Sequence, residues 1–330
     1  MSSSADRTAG NGEGLDPAMA EALREAEALA VRAGIDPRGA YDLDADRAAE
    51  ARNAAFWAEG APAVEDVLPL SLPGADGLLA ARLYKPNVPA PAPIVLFVHG
   101  GGWAKGSIDT CEWACRQIAA RSGLNVIATS YRLAPEHPYP AGLNDIDAVL
   151  NWCMGPSARA GLDHRRVLIA GASAGAQLAL AACLARRDRG ADMPLGLALF
   201  YGVFGTDLET ESYRAFGDGR YGLPRAQMQR FFDLYGAGDA SDLLAADLSG
   251  LPPVWLSAAG KDVLRDDALA MHAALRAAAV DVHLRLDEGL AHGYSAKARL
   301  VPLAKAAIDD AASFLQAESR RASRLAAYAL

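Results

Sequence analysis

The pentapeptide Gly171-Ala172-Ser173-Ala174-Gly175 constrains this chain more than any other stretch. A short apolar run, Val167 to Ala170, leads into it, and an Ala/Leu-rich segment leaves it. That order predicts a strand, a sharp turn and a helix, with a serine at the tip. Glycine flanks such a turn because its backbone is strained and a side chain would collide with neighbouring chain. The pattern by itself is weak, since Ala/Gly/Ser-rich chains produce it by chance. It gains weight from three companions. His99-Gly100-Gly101-Gly102 lies upstream, Asp262 and His292 lie downstream, and each follows its own predicted strand.

From Ile94 onward strands and helices alternate. The strands read as Ile94–Val98, Asn125–Ser130, Val167–Ala170, Leu195–Tyr201, Val254–Ala258 and Val282–Leu286. Helices are expected near Asp109–Arg121, Ala141–Cys153, Ala174–Arg187 and Leu264–Ala279, with a last one from Pro302 to Ala317. Leu264, Ala268, Met271, Leu275 and Ala278 recur at helical steps and mark one apolar face. Alternation of this kind predicts an α/β fold, a mostly parallel central sheet flanked by helices on both faces. Val64–Leu72 and Leu78–Tyr84 add a hairpin turning through Pro73-Gly74.

Residues 1–60 precede this core. Met1 to Gly14 is polar and Gly/Ser-rich and reads as a disordered lead-in. Two Ala-rich helices follow, Pro17–Ala33 and Asp44–Glu59, broken at Pro37 and Gly39. The first has a thin apolar face, so it is expected to be loosely held. Both are read as a helical cap, with Phe56 and Trp57 over the site; a solubilising extension is the alternative. Residues 61–330 form the catalytic domain. Within it Thr206 to Leu244 is long for a crossover and rich in aromatics, including Phe216, Tyr221, Phe231, Phe232 and Tyr235. A cap insertion that supplies apolar substrate walls is favoured over a plain crossover.

A net charge of -8 argues against nucleic acid, whose recognition needs clustered positive charge. No apolar run approaches a membrane span, and the N-terminus lacks a secretory pattern, so a cytoplasmic protein is expected. Cys111 and Cys115 lie one helical turn apart, but no further Cys or His completes a ligand set. With Cys153 and Cys183 they read as buried thiols, and neither a metal nor a cofactor is expected.

Ligands of open α/β sheets bind outside the carboxyl ends of the strands. His99 with its glycines, Ser173, Asp262 and His292 all emerge there. Their order is Ser, Asp, His, the chain order of α/β-hydrolase triads. A serine hydroxyl is a weak nucleophile until a base takes its proton. His292 suits that base, and Asp262 would orient the imidazole. Backbone N–H groups of Gly101, Gly102 and Ala174 would serve as an oxyanion hole. The other histidines have duller places: His283 on a solvated strand face, His272 beside an apolar helix face, His164 and His137 in loops. His99 precedes the glycines and braces their loop. Asp266, Asp267 and Asp287 are rival carboxylates, of which Asp266 and Asp267 fall in a helix first turn.

Together these blocks resemble the hormone-sensitive-lipase-like family of α/β-hydrolases, the bacterial esterases often called family IV. The resemblance rests on His99–Gly102 with Trp103, Tyr131-Arg132-Leu133-Ala134-Pro135-Glu136-His137-Pro138-Tyr139-Pro140-Ala141, the Ser173 elbow, Asp262-Val263-Leu264-Arg265-Asp266 and His292-Gly293-Tyr294. It spans Val64 to Ala317, and Tyr131–Ala141 is its most specific block. It implies a helical cap, no metal, and hydrolysis of short to medium acyl esters. Ala172 and Ala176-Gln177 depart from the family's acidic residue before the nucleophile and Gly-Asn after it. That loss of polarity makes a specialised ester, amide or carbamate an alternative. Plant gibberellin receptors resemble the same family without the catalytic histidine; His292 favours an enzyme over such a receptor. Trp103, Phe231, Phe232 and Tyr294 are expected as substrate walls. A small-molecule ester is the expected partner, and a homodimer is an open option.

Overall fold

The computed structural model describes residues 13–36, 40–155 and 161–328, with side chains to residue 322. The lead-in up to residue 12 and the Pro37/Gly39 break lie outside the described residues.

The hairpin comes first: β1 (Asp66–Gly74) and β2 (Gly77–Lys85). Its turn is Ala75-Asp76 and not Pro73-Gly74, which pair within the ladder. Gly77 takes φ +106°, a value that L side chains rarely adopt, so the return strand starts there. The apolar runs then form the sheet centre. β3 (Ala92–Val98) and β4 (Asn125–Thr129) are buried along their whole length, as strands covered on both faces must be. β5 (Leu162–Ala172), β6 (Leu197–Phe200), β7 (Val254–Lys261) and β8 (Val282–Ala291) complete a sheet ordered β1-β2-β4-β3-β5-β6-β7-β8. β1 with β2 and β2 with β4 are antiparallel; the other neighbours are parallel. The expected strand Leu195–Tyr201 is shorter at both ends; at its far end Tyr201 turns to φ +36° and stops it.

Before the sheet lie α1 (Pro17–Arg32) and α2 (Leu43–Ala58). Asp16 caps α1 by accepting from the Ala18 and Met19 amides, with Pro17 at the first position. α3 (Glu112–Ser122), α4 (Ala141–Met154) and α5 (Ala174–Asp188) cover the first half of the sheet's crossovers. α6 (Glu211–Phe216) and α7 (Arg225–Tyr235) occupy the long segment between β6 and β7. α8 (Arg265–Ala277) buries Ala268, Met271 and Leu275, the face its spacing marked. α9 runs from Pro302 to Tyr328, past the expected end at Ala317, because Ala, Glu, Arg and Leu continue without a breaker. Among the described residues no helix is long and apolar enough to cross a membrane. The four cysteines are free and buried, with Cys111 and Cys115 sulfurs 3.7 Å apart.

Candidate active site

β5 runs straight into α5 through Ser173, which sits at φ 56°, ψ -122°. A non-glycine residue pays strain for that conformation, and here close packing enforces it. A Cβ on Gly171 would lie 2.3 Å from the Gly175 carbonyl, and one on Gly175 would lie 2.2 Å from that of Val98. Both glycines are therefore demanded by contact distance. The Ser173 amide donates to the Phe200 carbonyl at 2.9 Å, tying the elbow to the end of β6. The side chain is 7% exposed and its residual surface faces a cavity of about 680 Å³.

Asp262 follows β7, and His292 follows β8. His292 bridges the other two: its Nδ1 lies 2.7 Å from Asp262 Oδ2 and its Nε2 lies 3.0 Å from Ser173 Oγ. With the proton on Nδ1, the ring donates to the carboxylate and accepts from the serine hydroxyl. Asp262 is 2% exposed, and its second oxygen accepts from the Leu264 amide at 3.0 Å. The rival carboxylates are engaged elsewhere. Asp266 accepts from the Ser212 amide, Asp267 from the Phe204 and Gly205 amides, and Asp287 from Arg285.

The glycine loop after β3 lies against Ser173. Gly101, Gly102 and Ser173 line the same cavity. Among the described residues, no protein acceptor takes the N–H groups of Gly101, Gly102 or Ala174. His99 is buried behind the loop, stacked on Tyr131 at 4.4 Å, with Nδ1–H donating to the Gly100 carbonyl at 2.8 Å. Burial pushes its pKa down to about 4, so it is a neutral brace at pH 7.

Of the four expected substrate walls, Phe231 alone lines the cavity, packed over Gly102, where a Cβ would meet its ring at 2.2 Å. Trp103 is 1% exposed, stacked on Tyr235 at 4.4 Å with its indole N–H donating to Gln177. Phe232 packs against Trp103 at 5.5 Å and away from the cavity. Tyr294 is fully buried and its hydroxyl pairs with Ser257. None of these three lines the cavity. Phe56 and Trp57 are also off the cavity: Phe56 lies under the Arg299 guanidinium at 4.1 Å, and Trp57 packs against the core. From the N-terminal helices it is Leu23, Arg24, Glu27 and Glu50 that line the cavity, and from the long segment Leu223, Met228 and Phe231. Tyr201, Lys105 and Lys297 line it too and carried no motif in the sequence. Tyr201 sits edge-on to His292 at 5.0 Å. Its place just past β6, beside the Ser173 elbow, is the signal that could have found it.

A family model described as the alpha/beta hydrolase fold matches residues 95–296. The chain belongs to the α/β-hydrolase fold family. This α/β-hydrolase is 38% identical over 244 residues to a carboxylesterase of Mycobacterium tuberculosis, covering 70% of this chain and 76% of the relative. It is 29% identical to an acetyl esterase of Salmonella schwarzengrund, covering 80% and 84%. Among solved structures it is similar to an α/β-hydrolase enzyme from the metagenome of Lake Arreo, Spain, at 30% identity and a TM-score of 0.85. The match covers 92% of this chain and 98% of that one. The α/β-hydrolase described here is a hydrolase of carboxylic esters. Among its described residues no cluster of His, Cys, Asp or Glu could hold a metal ion.

Proposed function

We propose that this esterase works through an acyl-enzyme on Ser173, with His292 as general base and Asp262 as its orienting carboxylate. The observation that carries the reading is the pair of contacts on one imidazole, 3.0 Å to Ser173 Oγ and 2.7 Å to Asp262 Oδ2. As Oγ attacks the ester carbonyl, its proton passes to Nε2. Asp262 keeps the proton on Nδ1 and stabilises the imidazolium that forms. The carbonyl oxygen becomes an oxyanion, and the uncommitted N–H groups of Gly101, Gly102 and Ala174 are the donors for it. His292 then returns its proton to the departing alcohol, and water repeats the sequence to release the acid.

The cover belongs to this proposal. α1, α2 and the segment 206–244 together form a cap that excludes water and supplies the apolar walls. A cavity of about 680 Å³ over Ser173 supports a reading of short to medium acyl esters, as the resemblance to hormone-sensitive-lipase-like esterases implies. The test is Ser173→Ala with a panel of aryl esters of increasing chain length, alongside anilides. Turnover should fall on the order of 10⁶-fold with the fold intact. A serine-directed phosphonate should label Ser173. Labelling at another serine, with activity kept in Ser173→Ala, would refute the mechanism.

A further inference from the structure

The cavity over Ser173 contains two ammonium groups in opposite circumstances. Lys105 Nζ is paired with two carboxylates, 2.7 Å from Asp46 Oδ2 and 2.9 Å from Glu50 Oε1. Burial would lower its pKa, but those two carboxylates outweigh burial and raise it. Their own oxygens are committed as well: Asp46 also accepts from the Tyr41 hydroxyl, and Glu50 from the Gly106 amide. Lys297, on the same cavity wall, has no carboxylate within ion-pair distance among the described residues. Its one contact is the Gly293 carbonyl, at 3.4 Å.

An ammonium has three donors, and one long contact leaves most of that capacity open. Partial burial makes the omission costly, because a desolvated charge must recover its hydration energy from partners. The surroundings do not supply it. Burial, and then Lys105, push the Lys297 pKa down to about 8, with Glu50 opposing more weakly. The group is still a cation at pH 7. The other charges on the wall do not answer it. Arg24 pairs with Glu21, Arg220 pairs with Asp218, and Glu27 is exposed to solvent. The sequence keeps a long cation one 3₁₀ turn after His292, facing the space a substrate must occupy.

We propose that Lys297 selects esters that carry a carboxylate, whose oxygens take the ammonium donors that the protein leaves open. The assignment rests on the hydrolytic reading of Ser173 and names the substrate class of that same cavity. Lys297 lies against Gly293, the residue after the imidazole that protonates the leaving alcohol, so a carboxylate on the alcohol half is the favoured arrangement. The acyl half is the other arm of the test.

Two ester pairs read the proposal. One compares the butyrate ester of 3-hydroxybenzoate with that of phenol; the other compares the 4-nitrophenyl monoester of glutarate with 4-nitrophenyl butyrate. In Lys297→Met the ratio of kcat/KM for the charged over the neutral ester should fall about ten- to hundredfold, the range of a charge-assisted hydrogen bond. The fall should appear in the alcohol-side pair. Lys297→Arg should keep part of the preference, and Lys297→Gln reads the same ratio where Lys297→Met does not fold. Unchanged ratios in both pairs would overturn the proposal. If the wild-type protein cleaves none of the four esters, the hydrolytic reading falls instead. Calorimetry with glutarate then decides the site: equal affinity for Ser173→Ala and Ser173→Ala/Lys297→Met overturns it.

Discussion

A single imidazole carries the geometry of this site, and the neighbours of each atom decide what substitution does. Asp262→Asn keeps the size of the carboxylate but offers an N–H where Nδ1–H needs an acceptor. The ring then turns to its other tautomer, and Nε2 loses the lone pair that faces Ser173. Turnover should drop roughly 10⁴-fold with the fold unchanged, as single-turnover kinetics and circular dichroism would show. A near-wild-type rate would mean that another carboxylate does this work, and the Arg285-paired Asp287 would be examined first. At this scale much was legible. Ser173, Asp262 and His292 announce themselves because strand ends gather on one edge of the sheet whatever lies between them. Lys297 does not, because a lysine in a short turn has no sequence mark of what it faces, and Tyr201 is marked only by its place at a strand end. Trp103 and Tyr294 misled for a related reason. A large aromatic next to a motif residue can face the cavity or the core, and the periodicity of a loop does not say which.

Elements are fastened to one another by charged groups more than the apolar patterns indicate. α1 reads as loosely held, and its fully buried residues are small in number, Met19 and Ala22. α2 buries only Ala49 and Ala54. Yet α2 docks through Arg47, which donates to the Ala104 and Ala134 carbonyls and pairs with Glu136. Those partners lie far along the chain, and an arginine on a polar helix face looks the same with or without them. α8 is fastened in another way. Asp267, 3% exposed, accepts from the Phe204 and Gly205 amides that follow β6. Burial lifts its carboxyl to about 7. The unfolded chain releases that proton near pH 4, so between about 4 and 7 the folded state holds a proton the unfolded state has lost. The stability this group contributes is complete below about pH 4 and is lost as pH rises through 7. Asp267→Asn keeps an acceptor and cannot ionise. Relative to it, the wild-type protein should lose roughly a kcal/mol per pH unit across that window in urea denaturation. Parallel pH profiles for the two proteins would show that Asp267 ionises freely in the folded state.

Over the whole molecule, the sheet gathers Ser173, Asp262 and His292 at one edge, and α1, α2 and the segment 206–244 contribute residues to the cavity beside them. Removing residues 1–60 takes away Leu23, Glu27 and Glu50 from the cavity wall and strips Lys105 of both carboxylates. The truncated protein should stay folded, with a much larger KM and a flattened preference along a chain-length series. Retention of both the rate and the acyl selectivity would show that the N-terminal helices are dispensable for turnover. The parallel sheet was legible because strand–helix alternation leaves few topologies. The cavity lining from α1, α2 and residues 206–244 was not legible residue by residue, since it depends on contacts between segments distant in sequence. The Tyr131–Ala141 block explains how those segments find their seat. Ala134 donates to the Trp103 carbonyl, Arg47 reaches Ala134 and Glu136, and Tyr139 donates to the Tyr235 carbonyl at the end of α7. One short stretch thus serves the glycine loop, α2 and α7 as a common socket. On the proposed reading, in which these segments are a cap, the cap is an exchangeable fitting. Drift in α1, α2 or residues 206–244 can change what enters the cavity while Ser173, His292 and Asp262 stay where the sheet puts them, provided the socket is kept.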